Sequence, residues 1–341
     1  MSERYLPVGK LPPAILESLL KKAPIKDPNI VIGPGPGLDC AVVDIGDKYL
    51  VLKSDPITFA TDEIGWYLVQ VNANDIVTTG ATPKWLLLTM LLPASLSTPT
   101  SAMGIADQVF DACQAIGISV VGGHTEITHR LERPILVGTM IGEVEKHKLI
   151  TPKGVNSGDK ILLTKGVPIE ATAILAREFP DHLANSLNPS ELKEAKKFLI
   201  TPGLSIYQDA KLATKAGRVS AMHDPTEGGL AAALWELAEA SEMTLVVDLT
   251  RVFIPSISYQ VCKAFKIDPY AAISSGALLI TTPPEESTKI CSGLKTAELI
   301  CTEIGWVESG PVTVKEVLGS STRTLKRPER DEIARVFETR S

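Results

Sequence analysis

Four aspartates carry most of the chemistry on offer. They are Asp39 in Gly37-Leu38-Asp39-Cys40-Ala41-Val42, Asp55 in Lys53-Ser54-Asp55-Pro56, Asp75 in Val71-Asn72-Ala73-Asn74-Asp75-Ile76, and Asp224 in His223-Asp224-Pro225-Thr226-Glu227-Gly228-Gly229. All four stand in or beside apolar stretches. An unpaired carboxylate there is costly to bury, so a cation or metal normally neutralises it. Several carboxylates acting together suit Mg²⁺, which keeps some of its waters and bridges protein carboxylates to phosphates. Ahead of Asp39 runs Ile32-Gly33-Pro34-Gly35-Pro36-Gly37, a loop whose backbone N–H groups could meet phosphate oxygens. Blander readings stay open for each residue. Asp39 and Asp55 also suit turns, and Asp224 suits the N-cap of a helix beginning near Pro225. Gly122-Gly123-His124-Thr125 reads as a strand leading into a turn, either a plain one or one where a ligand touches the main chain.

These residues need elements to hold them. Ile64, Leu68, Val71, Ile76 and Val77 recur at helical spacing, which predicts a helix ended by Gly80 and Pro83. Asn72 and Asp75 then share one face of it. Cys40–Ile45 and Tyr49–Leu52 read as strands, followed by a strand over Lys84–Leu92 and a helix over Thr100–Ile116 closed by Gly117. Strands over Ile118–Val121 and Pro134–Val144 complete an α+β domain spanning 1–150. The breakers Pro152, Gly154 and Asn156-Ser157-Gly158 mark the boundary. A second α/β domain spans 151–320, with strands near 160–164, 219–222, 244–248, 277–282 and 299–307 and helices between them; 321–341 reads as a charged, peripheral tail.

Composition narrows the field. A chain of 341 residues exceeds what one core usually organises, so two domains are expected. The net charge of −6 comes without a basic block, which argues against nucleic acid as a partner. Five scattered cysteines without a Cys-x-x-Cys pair read as free thiols of a reducing compartment. No apolar signal region begins the chain, and the longest apolar run, Trp85–Ala94, is too short to span a bilayer. A cytoplasmic protein without a membrane partner is expected. No Walker A run, Rossmann fingerprint or Gly-x-Ser-x-Gly elbow occurs, and the five histidines lack zinc-ligand spacing.

Taken in order, Gly37-Leu38-Asp39-Cys40-Ala41-Val42-Val43, Lys53-Ser54-Asp55-Pro56, Val71 to Pro83, Gly122-Gly123-His124-Thr125, His223 to Leu230 and Ser274-Ser275-Gly276-Ala277-Leu278-Leu279 resemble the aminoimidazole ribonucleotide synthetase (PurM-like) superfamily. Within it the chain is most similar to the hydrogenase expression/formation proteins of the HypE type, over about residues 30–310. The resemblance implies an N-terminal domain that pairs with its twin into a dimeric β-barrel, and a C-terminal α/β sandwich behind it. It implies a homodimer that binds ATP and Mg²⁺ near the interface. Asp39, Asp55, Asp75 and Asp224 would serve the metal, with Asp75 and Asp224 also catalytic. Gly37, Asn74, Gly122 and Gly123 would line the nucleotide. The implied chemistry is activation of an amide or carbonyl oxygen by phosphorylation, on a small-molecule or protein-borne substrate; a relative, thiamine monophosphate kinase, phosphorylates its substrate instead. Two departures stand out. HypE chains usually end in a Pro-Arg-Ile-Cys-type tail, whereas this chain ends Arg335-Val336-Phe337-Glu338-Thr339-Arg340-Ser341 with its last cysteine at Cys301. Many relatives also carry an acidic residue where His124 stands, a role Glu126 could take.

Overall fold

The computed structural model describes residues 6, 11–35, 38–58 and 62–340. A short helix α1 (Pro13–Leu20) precedes a six-stranded sheet made of β1 (Ile30–Ile32), β2 (Ala41–Asp44), β3 (Lys48–Ile57), β4 (Thr82–Pro93), β5 (Ser119–Thr128) and β6 (Ile135–Glu145). The strand order is β1-β2-β3-β6-β4-β5, antiparallel except for the parallel pair β4–β5. A parallel pair needs a crossover, and α3 (Pro99–Ile116) provides it. Reciprocal capping between Thr98 and Ser101 starts that helix, and Gly117 at φ 74° ends it.

Helix α2 (Ile64–Thr78) is the axis of the molecule. It is buried nearly all round, the pattern of a core helix rather than a surface one. Leu68 and Ile76 pack on the sheet, each contributing roughly 1.5–3 kcal/mol by burial. The close approach depends on glycines facing it: a Cβ at Gly142 would come within 2.5 Å of Ile76, and one at Gly138 within 2.9 Å of Asn72. The opposite side of α2 presents Tyr67 and Val77 to apolar clusters of the second domain.

That second domain has a seven-stranded sheet in the order β13-β12-β9-β11-β7-β10-β8. Its elements are β7 (Lys160–Thr164), α4 (Ile169–Glu178), α5 (Pro180–Leu183), α6 (Pro189–Lys196), α7 (Tyr207–Ala216), β8 (Ala221–His223), α8 (Gly229–Ser241), β9 (Thr244–Val247), α9 (Ser256–Phe265), β10 (Leu279–Thr282), α10 (Pro284–Lys295), β11 (Cys301–Glu308), β12 (Thr313–Leu318), β13 (Ser321–Thr324) and α11 (Glu332–Arg340). Leu230, Leu234 and Leu237 of α8 cover one face of the sheet; α7 and α10 cover the other through Ala213, Ile290 and Leu294. Strands covered on both faces read as continuous apolar runs, which is why Ile161-Leu162-Leu163 shows no alternation.

Two expectations change here. The segment after Gly319 is not peripheral: β13 pairs with β12, Leu325 and Val336 are buried, and the carboxylate of Asp331 accepts the backbone N–H of Gly228 at 2.6 Å. Its charges concealed two apolar anchors too widely spaced to read as a periodic stripe. Gly122 and Gly123 do not form a turn either. They lie inside β5, where the register slips by one residue opposite Leu86 and Leu87, and a Cβ on Gly123 would fall 1.8 Å from the carbonyl oxygen of Leu88.

Candidate active site at the domain seam

Side chains two apart on a strand point the same way, so Lys53 and Asp55 of β3 both face α2. The ammonium of Lys53 lies 2.8 Å from Asp75 Oδ2, 3.2 Å from Asp55 Oδ2 and 3.9 Å from Asp39 Oδ1. Asn72 fixes this meeting by accepting the N–H of Asp55 at 3.1 Å and donating to the Leu68 carbonyl at 2.9 Å. Helix and strand are thus locked one turn before Asp75.

The second domain contributes from the end of β8. His223 Nε2 lies 2.8 Å from Glu236 Oε2 of α8, and its Nδ1 lies 3.7 Å from Asp39 Oδ2. Asp39 therefore stands between a lysine of one domain and a histidine of the other. Asp224, next in the chain, is buried. A cleft lined by Leu38, Asp39, Thr79, Met222, His223 and Glu236 opens at this seam.

The electrostatics are those of a site with too much negative charge. Burial, then the neighbouring Asp224, pushes the Asp75 carboxyl well above the usual carboxylate range despite Lys53. Burial likewise raises Asp224 to about 6, with His223 and Lys53 opposing and Asp39 adding to the shift. Burial alone would lower Lys53, but Asp75, Asp55 and Asp39 outweigh it and hold the ammonium above its ordinary value. His223 follows the same logic: burial works against its charge, yet Glu236 and Asp39 raise it to about 9.

Does this donor set suit Mg²⁺? Its groups are hard oxygens, and the mutual repulsion of Asp75 and Asp224 is what a divalent ion relieves. Among the described residues no three acidic, histidine or cysteine side chains already form a closed metal cage. An ion completed by waters and phosphate oxygens matches such an open arrangement.

The structure brings Asp39, Asp55 and Asp75 together around Lys53 and sets Asp224 beside Asp75. Of the other expected residues, Asn74, Gly122 and Gly123 are not among these contacts. Gly37 lies outside the described residues. Asn74, expected to line a nucleotide, spends both polar atoms across the domain seam: Nδ2 donates to the Leu204 carbonyl at 2.8 Å, and Oδ1 accepts the N–H of Ile206 at 3.0 Å. Gly123 shares a cross-sheet row with Asp55 through Leu88 and Gly138, three strands away, or roughly 14 Å. His124 and Glu126 are exposed on β5 and lie 3.5 Å from each other.

Three participants escaped the sequence reading. Lys53 was legible in principle, because its two-residue offset from Asp55 places both on one strand face. His223 adjoins Asp224 but lacked a partner in sequence. Glu236, thirteen residues on, meets it only because α8 folds back over β8.

A carboxylate cluster at the seam of two α/β domains, each with its own sheet, with Asp75 and Asp224 buried and Asp39 on its open side, defines the class of protein. The chain belongs to the AIR synthase related family: its N-terminal domain model matches residues 37–144 and its C-terminal domain model residues 156–317. The particular relatives sharpen this. A protein of Methanocaldococcus jannaschii named for hydrogenase expression/formation is 26% identical, over 94% of this chain and 96% of its own length. Thiamine-monophosphate kinase of Archaeoglobus fulgidus is 28% identical over 64% of this chain and 70% of its own. Among solved structures, HypE of E. coli superposes with a TM-score of 0.73 at 18% identity, covering 95% of this chain and 99% of that one. HypE in complex with ATP gives 0.69 at 21% identity, covering 92% and 90%. The fold is thus the PurM-like two-domain fold, shared with HypE.

Proposed function

We propose that this chain is an ATP- and Mg²⁺-dependent enzyme of the HypE-like branch, which activates an amide or carbonyl oxygen by phosphorylation. The observation that carries the reading is the gathering of Asp39, Asp55 and Asp75 around Lys53, with Asp224 at the same seam. Support comes from the relative named for hydrogenase expression/formation and from the HypE structure described as a complex with ATP. Asp39, Asp55, Asp75 and Asp224 would hold Mg²⁺, whose chemistry is to neutralise phosphate charge as it shifts during transfer. Lys53 and His223, both held protonated at neutral pH, supply fixed positive charge on the two sides of the cleft. Asn72 and Asn74 keep the helix bearing Asp75 registered against β3 and against the 204–206 loop.

A second reading, a small-molecule kinase, is favoured by the similarity to thiamine-monophosphate kinase. A third reading is a nucleotide-binding maturation partner without turnover. One experiment separates them: ADP release by the purified chain with ATP, with and without Mg²⁺, against carbamoyl-bearing peptides and hydroxylated or phosphorylated metabolites. Mg²⁺-dependent ADP and inorganic phosphate support activation chemistry; a stable phosphorylated product supports the kinase. ATP binding by calorimetry without turnover supports the partner. Neither binding nor turnover overturns all three.

The substrate would be a small molecule or protein-borne, and the unit a homodimer. Supporting the dimer, β5 is an edge strand along which Val121 and Ile127 are more than half exposed. A long uncovered edge invites strand pairing, so pairing of two N-terminal sheets into a barrel is the arrangement proposed, to be checked by light scattering. A cytoplasmic setting is part of the same proposal; among the described residues no helix is long and apolar enough to cross a membrane.

A further inference from the structure

Away from the seam, Cys291 on α10 and Cys301 at the start of β11 face each other with 3.0 Å between their sulfur atoms. Both are only partly buried, on the side of the second sheet that α7 and α10 cover. We propose that this pair is a thiol–disulfide exchange site, oxidised by small-molecule disulfides of the glutathione type. A disulfide bond of about 2.05 Å requires the sulfurs to close by only about 1 Å. The backbone on either side is held. Ile290 and Leu294 anchor α10 in the core, the N–H of Leu299 donates to the Leu294 carbonyl, and Cys301 pairs with Thr164 of β7. The two thiols therefore stay in register without any element moving.

The two thiols share one S–H···S contact in which either can be the donor. Whichever of them loses its proton first is the attacking thiolate. Its sulfur bonds to one sulfur of the oxidant, whose S–S bond breaks and releases one glutathione thiolate. The other cysteine then loses its proton and displaces the second glutathione from the first. Two protein thiols are oxidised and one small disulfide is reduced to two thiols, so atoms and electrons balance. The other three thiols are buried and desolvated: Cys40 is pushed well up, Cys113 to about 11 and Cys262 to about 12.

The test treats the folded full chain with oxidised glutathione, traps remaining thiols by alkylation and maps peptides by mass spectrometry. A Cys291–Cys301 disulfide, lighter by two hydrogens and reversed by dithiothreitol, is expected. It should form about tenfold faster than any adduct at Cys113 or Cys262. C301S should accumulate a glutathione adduct at Cys291 and C291S one at Cys301, neither forming the internal disulfide and both retaining the native circular dichroism spectrum. Absence of the internal disulfide in excess oxidant overturns the site.

Discussion

The ammonium of Lys53 lies 2.8 Å from the carboxylate of Asp75, where strand β3 and helix α2 meet, and both side chains are nearly closed off from solvent. Removing one partner of a buried pair leaves the other uncompensated, at a cost of roughly 3–5 kcal/mol. K53M should therefore lower the unfolding temperature in metal-free buffer. If the cluster takes Mg²⁺, added Mg²⁺ should restore more stability in K53M than it adds to the unsubstituted chain. Scanning calorimetry with and without the ion reads this directly; equal increments in both proteins would count against a metal at these carboxylates.

Asp224 should show opposite effects on stability and turnover. Its carboxyl is raised to about 6 chiefly by burial, so holding it ionised at neutral pH works against folding. In D224N that cost disappears, and metal-free stability should rise by about 1–3 kcal/mol. Mg²⁺-dependent ATP turnover, on the proposed function, should fall roughly 10²–10³-fold. Unfolding curves paired with ADP-release assays test both halves. A variant that is less stable yet fully active would contradict the placement.

Asn74 yields a different kind of prediction, because its bonds cross the domain seam rather than face the cleft. N74A strips the Leu204 carbonyl and the Ile206 N–H of their partners. Leaving buried polar groups unsatisfied costs about 1–3 kcal/mol. Hydrogen exchange at Ile206 should accelerate, while the Mg²⁺ concentration giving half-maximal effect stays within about twofold. A large shift in Mg²⁺ dependence with unchanged exchange would return Asn74 to the ligand site.

Glu170 on α4 sets a pH dependence. It is buried, its Oε2 has no hydrogen-bond partner among the described residues, and burial pushes its carboxyl up to about 7. A carboxyl raised on folding favours the native state while protonated. Its contribution is full below the unfolded value near 4.5 and is lost as pH rises through about 7. E170Q, which stays neutral, should remove about 3 kcal/mol of the stability lost across that window. Urea titrations at several pH values measure it; parallel pH profiles for the two proteins would rule it out.

How much of this was legible in the chain itself? Local order was. The apolar spacing from Ile64 and the stop at Gly80 mark α2, Gly117 marks the end of α3, and the motif around Asp224 marks the turn after β8, because periodicity, capping and breakers are properties of neighbouring residues. The motifs also named the family and the four aspartates. Which groups meet was decided only by the tertiary structure. Lys53 and Asp75 are brought together by α2 lying on β3, permitted by Gly138 and Gly142. His223 finds Glu236 because α8 covers β8, and Asn74 is drawn away from the cleft by a loop more than a hundred residues later. Gly122 and Gly123 read as a turn because glycine signals freedom without saying where it is used; the parallel pairing of β5 with β4 used it for a strand bulge. Charge behaves the same way. A sequence counts carboxylates, but only packing sets how deeply they are buried and beside which cations, and those two quantities decide their proton affinity and their chemistry.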